Sequence, residues 1–234
     1  KLSMEKRKIS IFIIGLIFIT FTNKTPSFAQ TTPADPEMIK ISKTLLHYFD
    51  TIYQKKMLGA MRGPTNAFKI EQLTGEYPAM VEEDLTGWHQ TAWSATYTSR
   101  VKYNIDAMKR IWKYKKAIPG MCWHWGNPLT GGGDYNASKE DLTEEQFDNI
   151  VTEGTEEYNI MMEDLRKHAD YLQQLTDENI PLIWRPLHEI DGGWFWWTDK
   201  TDPDNTVKLW KIMYNYFVKE RGMHNLIWVY SVGL

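Results

Sequence analysis

Apolar and polar positions alternate along the chain in two different ways. Short runs in which almost every residue is apolar predict strands buried on both faces, at residues 57–61, 79–85, 119–125, 181–188 and 225–231. Between these runs, apolar residues recur every three or four positions, which predicts helices at 39–53, 96–116, 143–150, 158–175 and 204–218. Strands separated by helices predict an α/β protein with a parallel sheet covered by helices.

Two architectures have this order of elements. An open, doubly wound sheet binds its ligand, often a nucleotide, where the strand order reverses, whereas a (β/α)8 TIM barrel binds ligands on the loops that follow its strands. The chemically unusual residues lie directly after strands, at 82–84, 123–127 and 188–197, and the glycine-rich turn 131–133 lacks the Lys-Ser/Thr pair of a phosphate-binding loop. The sequence therefore predicts a TIM barrel. Because a full barrel needs about 250 residues, we expect only about the first five β/α units here.

The start of the chain has the composition of an export signal. Basic residues at 6–8 precede an apolar run at 9–21, and Ser-Phe-Ala follows at 27–29. The apolar run is shorter than the roughly 20 residues that a helix needs to span a bilayer, which argues against a membrane anchor. We predict a secreted or periplasmic protein with no membrane association after cleavage. The predicted boundaries are a signal peptide at 1–29, a linker at 30–37 and a partial barrel domain at 38–234.

The charge balance and the single cysteine limit the possible partners and the source of stability. Removing 1–29 leaves 22 basic and 29 acidic residues, a net charge of −7, so nucleic acid is not an expected partner. Cys122 has no second cysteine to pair with and lies in a predicted strand, so we expect it to be buried. The domain must therefore be stabilised by its apolar core, and we expect a monomer.

The densest concentration of reactive and aromatic residues is at 184–197, where the fourth predicted strand ends. Strand alternation would place Arg185, Leu187 and Glu189 on one face, with Glu189 at the mouth of the barrel. A carboxyl group partly buried among tryptophans holds its proton more readily, which suits a general acid. The alternative is a structural ion pair between Arg185 and Glu189. The flanking His188 and the tryptophans favour the catalytic interpretation.

Aromatic rings near polar groups indicate a carbohydrate ligand. Sugar C–H faces stack on indole rings while their hydroxyl groups bond to polar side chains. The candidate platforms are Trp123, Trp125, Trp194, Trp196 and Trp197, of which Trp194 is the first choice, and the candidate polar contacts are His124, Asn127 and His188. We expect about half of the tryptophans in these segments to pack under loops instead, because tryptophan is mostly buried in proteins.

The same residues do not predict a metal or cofactor site. His124, His188 and Glu189 match no zinc-binding spacing, and the aspartates at 199, 202 and 204 lack the glycine and the distal glutamate of a calcium loop. A turn that caps the following helix, through Asp204 or Asn205, is the expected role of that acidic segment. We therefore predict no metal and no cofactor.

The motif Arg185-Pro186-Leu187-His188-Glu189, followed by Gly-Gly-Trp-Phe-Trp-Trp at 192–197, resembles the acid/base motif of glycoside hydrolase family 26. The segments 120–128 and 75–85 are similar to the parts of that family around its third and second strands. The resemblance covers most of the chain after residue 29. It implies a (β/α)8 barrel and a retaining enzyme, most often an endo-β-1,4-mannanase and in some members a β-1,3-xylanase or mixed-linkage β-glucanase.

The resemblance also implies roles for individual residues. Glu189 stands at the acid/base position, while Arg185, His124, His188 and Trp194 would line or support the subsite of the reacting sugar. The family's nucleophile, a glutamate after the seventh strand, would lie beyond Leu234, so we expect this chain alone to be inactive. Ile190-Asp191 and Thr198 depart from the family's pattern. The rival hypothesis is a non-catalytic protein that binds a neutral β-linked glycan.

Overall fold

The computed structural model describes residues 32–87, 89–133 and 135–233. Five strands form one sheet in the order of the chain, and every neighbouring pair is parallel. A doubly wound sheet would reverse its strand order, so sequential parallel order confirms the predicted barrel architecture. The strands are β1 Ala60–Arg62, β2 Met80–Asp84, β3 Ile118–Cys122, β4 Leu182–Arg185 and β5 Leu226–Trp228.

One helix precedes β1, and further helices connect consecutive strands, as parallel pairing requires. They are α1 Lys40–Ile52, α2 Pro64–Thr74, α3 Ala95–Arg110, α4 Glu144–Ile150, α5 Glu156–Asp177 and α6 Pro203–Tyr214. Short π-helices, Ile111–Lys115 and Asn215–Glu220, continue α3 and α6. Within the described residues, no helix combines the length and apolar character needed to cross a membrane.

The helix ends show which local signals in the sequence were informative. Thr143 and Gln146 have the Thr-x-x-Gln spacing of a capping box, and they form one at the start of α4. The apolar spacing of the sequence did not predict helix α2. Its limits are nevertheless marked by proline at its first position and by Gly75 after its last residue, with φ of 79°. The predicted cap of α6 was wrong, because Asp202 accepts the hydrogen bond from the backbone N–H of Asp204.

Strands β2 to β5 end earlier than predicted, whereas β1 ends one residue later. Strand β4 ends at Arg185 rather than at residue 188, because Leu187 and Glu189 adopt positive φ values of 45° and 53° that a sheet cannot accommodate. The predicted alternation of Arg185, Leu187 and Glu189 on one face is therefore wrong. Leu187 is fully buried, and the direction of Glu189 is set by a turn rather than by a strand.

The chain before α1 packs on the domain from residue 34 onward. Tyr214 donates a hydrogen bond to the carbonyl oxygen of Ala34 at 2.7 Å, and the buried Asp35 carboxylate pairs with His224 Nδ1 at 2.9 Å. The domain therefore starts before the boundary at Met38 that the sequence suggested. The predicted signal peptide, 1–29, lies outside the described residues.

Two loops on the carboxyl side of the sheet are in close backbone contact. Thr86 donates a hydrogen bond to the carbonyl oxygen of Gly133 at 3.0 Å, and a Cβ atom at Gly133 would lie 2.3 Å from the backbone nitrogen of Ala92. Gly133 is thus required both for its φ of 99° and for the approach of the loop after β2.

We predict that Gly133→Ala destabilises the protein more than Gly131→Ala does. Both glycines have positive φ, 99° and 96°, but a Cβ at Gly131 would meet nothing within 4 Å. The backbone cost of about 1–2 kcal/mol is common to both variants, and the steric conflict adds about 1–3 kcal/mol at Gly133 alone. Urea unfolding would measure the difference, and equal losses would contradict the close packing of the two loops.

Candidate active site

An open cavity of about 520 Å³ lies where the carboxyl ends of the strands meet. Its lining combines ionisable and aromatic side chains: Arg62, His124, Tyr135, Lys139, Glu189, Trp194 and Phe195. The cavity thus brings together three residues singled out in the sequence, His124, Glu189 and Trp194. Of the described residues that line it, Glu189 alone carries a carboxylate.

The carboxyl group of Glu189 is held by the neighbouring tryptophan. Trp194 Nε1 donates a hydrogen bond to Glu189 Oε2 at 2.7 Å, and Trp194 remains 44% exposed. Gly192 allows this contact, because a Cβ at that position would lie 2.4 Å from the indole ring. The turn therefore presents a fixed carboxyl group beside an indole surface that a ligand can reach.

The turn around Glu189 has a strained backbone that its surroundings hold in place. A non-glycine residue with a left-handed backbone costs about 1–2 kcal/mol, and this segment contains two, Leu187 and Glu189. Trp197 Nε1 donates to the carbonyl oxygen of His188 at 3.2 Å, and Thr198 Oγ1 donates to that of Ile190 at 2.9 Å. Strained, tightly supported backbone is typical of residues that must be placed accurately.

Beneath the cavity, two buried histidines form a line with an aspartate. His124 Nδ1 lies 2.5 Å from Asp84 Oδ2, and His124 Nε2 lies 3.1 Å from His188 Nε2. Burial, followed by the nearby His124, lowers the pKa of His188 to about 3, so this ring is neutral at ordinary pH. His188 thus supports the site from within the core, and its polar atoms are not open to a ligand as the sequence had suggested.

The arginines have different partners from those considered in the sequence. Arg185 Nη1 pairs with Glu82 Oε1 at 3.0 Å, so the alternative of an Arg185–Glu189 ion pair is wrong. Arg62, at the end of β1, places its guanidinium 3.0 Å from Asp84 Oδ2 and lines the cavity. Arg185 therefore ties β4 to β2, and Arg62, like Lys139, supplies a positive charge at the cavity wall.

Trp123 and Trp125 lie in the core and not in the cavity. Their exposed fractions are 0% and 1%, and their rings stack on each other with centroids 4.4 Å apart. The prediction that these two residues contact the substrate directly is wrong in this arrangement, because neither ring has a face open to a ligand. Their indole rings instead form the floor under the loops that carry the cavity residues.

A buried carboxylate, Asp164 on α5, anchors this aromatic floor. It accepts hydrogen bonds from Trp125 Nε1 at 2.7 Å and Trp93 Nε1 at 3.0 Å, and it lies 3.3 Å from His168 Nδ1. Burial alone would raise the pKa of Asp164, but His168 and the two indole N–H groups outweigh it, and the pKa is lowered.

The sequence did not predict that Arg62, Tyr135 and Lys139 line the cavity. Arg62 ends a strand too short to show periodicity, while Tyr135 and Lys139 belong to a loop whose path the sequence does not determine. Lys139 Nζ lies 4.3 Å from the centre of the Tyr135 ring, which in turn lies 4.8 Å from that of His124. Asp84, which lies behind the cavity wall, belongs to the segment 82–84 that the sequence marked as unusual, but its contact with His124 was not predicted.

One cluster has the residue types of a metal site. Potential ligand atoms of Asp84, Cys122 and His124 lie within 4.8 Å of one another. Zinc would need Cys122 as a thiolate, but burial, followed by the nearby Asp84, raises the pKa of this thiol well above its usual value. Arg62 already neutralises the aspartate. The cluster is therefore suited to hydrogen bonding rather than to holding a cation.

The sequence matches the model described as glycosyl hydrolase family 26 over residues 34–233. Mannan endo-1,4-beta-mannosidase B of Piromyces sp is 35% identical in an alignment of 210 positions that covers 86% of this chain and 36% of that protein. Mannan endo-1,4-beta-mannosidase of Bacillus subtilis strain 168 is 31% identical in a gapped alignment of 246 positions that covers 97% of this chain and 66% of the relative. The chain thus spans about one third to two thirds of these relatives.

Solved structures show the same similarity. A β-mannanase from a symbiotic protist of the termite Reticulitermes speratus, complexed with gluco-manno-oligosaccharide, gives a TM-score of 0.74 at 31% identity over 87% of this chain and 65% of that one. Bacillus subtilis mannanase man26 gives 0.72 at 27% identity with the same coverage of both chains.

We predict that Asp164→Asn destabilises the protein by about 3 kcal/mol at pH 7, since the amide cannot accept both indole N–H groups. The lowered pKa means that ionised Asp164 contributes stability above about pH 4, the range of an unfolded aspartate, and loses it as the pH falls through the folded pKa. The difference from the wild type should therefore shrink at pH 2–3 in chemical denaturation. Asp170→Asn, on the exposed side of α5, is the control, and an unchanged difference at low pH would refute this role of Asp164.

Proposed function

The chain belongs to glycosyl hydrolase family 26, and from this premise we propose that it carries the acid/base half of a retaining endo-β-1,4-mannanase, with Glu189 as the acid/base. The observation that carries the proposal is the position of Glu189, the one carboxylate among the described residues lining the cavity, in contact with Trp194. A general acid must reach the oxygen of the scissile bond, and a partly buried carboxyl group beside an exposed indole is suited to that task.

In the proposed mechanism Glu189 donates a proton to the leaving oxygen while a second carboxylate attacks the anomeric carbon. Retaining enzymes place these two carboxyl groups about 5–5.5 Å apart. Glu189, now ionised, then removes a proton from the water that releases the sugar. We propose that the attacking carboxylate belongs to the part of the relatives' length that this chain does not span.

The proposed substrate is a neutral β-1,4-linked mannan or glucomannan. The relatives are named as mannan endo-1,4-beta-mannosidases, and one structural neighbour is complexed with gluco-manno-oligosaccharide. In this chain the exposed face of Trp194 can stack on a sugar ring, and Arg62 and Lys139 offer polar groups around it. The proposal includes export of the protein, as predicted from residues 1–29, because polysaccharides of this kind lie outside the cell.

We predict that Glu189→Gln in the native enzyme that contains this chain lowers kcat on galactomannan by about 10²–10⁴-fold, the usual worth of a general acid/base. An aryl mannoside with a strongly acidic phenol should lose less in the first step, because that leaving group needs no proton. Release of reducing ends and of phenol would measure the two effects.

The matched control is Asp191→Asn, since the amide oxygen can still accept the hydrogen bond from the backbone N–H of Gly233. Undiminished hydrolysis by Glu189→Gln would disprove the acid/base assignment. Parallel hydrolysis assays on xylan and mixed-linkage β-glucan would show whether the enzyme acts on one of these other substrates of the family. Binding of mannan without any hydrolysis by the wild-type enzyme would favour the non-catalytic alternative.

We predict that Trp194→Phe lowers kcat by about tenfold and leaves KM nearly unchanged. Phenylalanine keeps an aromatic face but removes the N–H that holds Glu189 Oε2, and a hydrogen bond to a charged group is worth about 1.5–3 kcal/mol. Trp194→Ala should raise KM as well, because the stacking surface is lost. Trp210→Phe, on α6 and packed against Trp228, is the control, and a purely KM effect of Trp194→Phe would contradict the positioning role.

A further inference from the structure

The line of Asp84, His124 and His188 under the cavity must contain a definite number of protons. Each histidine ring can carry its proton on either nitrogen, and the choice decides which nitrogen donates and which accepts. The distances along the line, 2.5 Å from Asp84 Oδ2 to His124 Nδ1 and 3.1 Å between the two Nε2 atoms, require one hydrogen in each gap.

Asp84 determines which atom carries the hydrogen in the first gap, between Asp84 Oδ2 and His124 Nδ1. Its carboxyl group faces four donors: Arg62 Nη2 at 3.0 Å, the backbone N–H of His124 at 3.0 Å, His124 Nδ1 at 2.5 Å and the Cys122 thiol at 3.6 Å. A carboxyl group surrounded by donors is ionised and can only accept. The hydrogen in the first gap is therefore bound to His124 Nδ1.

The second gap allows two arrangements. Either His124 is neutral and its bare Nε2 accepts from His188 Nε2–H, or His124 is a cation and donates to His188. The cationic arrangement would place a buried positive charge next to that of the half-exposed Arg62, on the same carboxylate oxygen. It would also move the proton of the neutral His188 to Nδ1.

The surroundings of His188 Nδ1 decide between them. This nitrogen is buried without a hydrogen-bond partner among the described residues, and its ring lies beside Phe195 and Trp197, with centroids 5.3 and 5.6 Å away. A buried N–H group without an acceptor is among the rarest features of folded proteins, whereas an unfilled lone pair is tolerated more readily. The neutral arrangement avoids the unpaired N–H.

We propose that Asp84 is a positioning residue that fixes both tautomers, with the proton of His124 on Nδ1 and that of His188 on Nε2. Asp84 itself does not line the cavity. It acts through His124, which does, and through His188, the residue that precedes Glu189 in the strained turn. For catalysis this inference rests on the proposed function, because the group placed by the line is the proposed acid/base.

The direct test is ¹⁵N NMR of the imidazole nitrogens in this chain labelled at histidine. We expect a protonated Nδ1 and a bare Nε2 for His124, and the opposite for His188. A spectrum with a bare Nδ1 on His124, or with a proton on Nδ1 of His188, would overturn the proposal. This measurement needs neither a substrate nor a variant, so it decides the matter even if Asp84 variants fail to fold.

The Asp84→Asn variant should change the histidine tautomers, an effect that a merely structural role of Asp84 would not have. An asparagine whose oxygen still accepts the backbone N–H of His124 presents its NH₂ group to His124 Nδ1, which must then accept. We expect the proton of His124 to move to Nε2 and that of His188 to Nδ1, as in other carboxylate–histidine pairs that an amide reverses.

The matched control is Glu83→Gln, a neighbouring buried acid that bonds to the backbone N–H of Asp84 and for which the structure shows no bond to either histidine ring. We expect this variant to keep the wild-type tautomers. In the native enzyme Asp84→Asn should lower kcat by about 100-fold with a smaller change in KM, the cost of a slightly misplaced group. Reversed tautomers with unchanged kcat would refute the positioning role, whereas expected tautomers in a protein that does not hydrolyse mannan would refute the proposed function alone.

Discussion

The arrangement of the site depends on one buried anion, the carboxylate of Asp84. Removing a carboxylate from water is costly unless charges or N–H groups replace the water, so its contacts are obligatory. Arg62 reaches it from the end of β1, and His124 reaches it from the residues after β3. Through His124 the same carboxylate is connected to His188 after β4. One side chain thus aligns the ends of four consecutive strands, which is the edge where barrels of this kind bind their ligands.

A second buried carboxylate, Asp164, organises the layer outside that line. It joins Trp93 before α3, Trp125 after β3 and His168 on α5, and Trp196 in turn donates its indole N–H to the carbonyl oxygen of Trp125. The tryptophans of this chain therefore have two roles. Those tied to buried oxygen atoms make a rigid floor, while Trp194, tied to Glu189, remains partly exposed at the cavity.

The sequence was informative where a structure follows from local patterns. Five parallel strands in chain order, the capping box of α4 and the burial of Cys122 all follow from periodicity and composition. The sequence singled out Glu189, which lines the cavity, because its neighbours are chemically unusual for a strand end. Periodicity could not show where β4 stops, because the turn at Leu187 and Glu189 is held by contacts with distant residues. For the same reason the sequence could not separate Trp123 and Trp125 from Trp194, or give Arg185 its partner Glu82.

The left-handed backbone of Glu189 costs stability at the residue that we propose as the acid/base. Glycine adopts this conformation at no steric cost, so a glycine there would relieve strain in the folded state while removing the carboxyl group. Selection for stability alone would favour such a replacement, because the strain at this position costs about 1–2 kcal/mol. The proposed acid/base role would explain why a glutamate stands in this conformation.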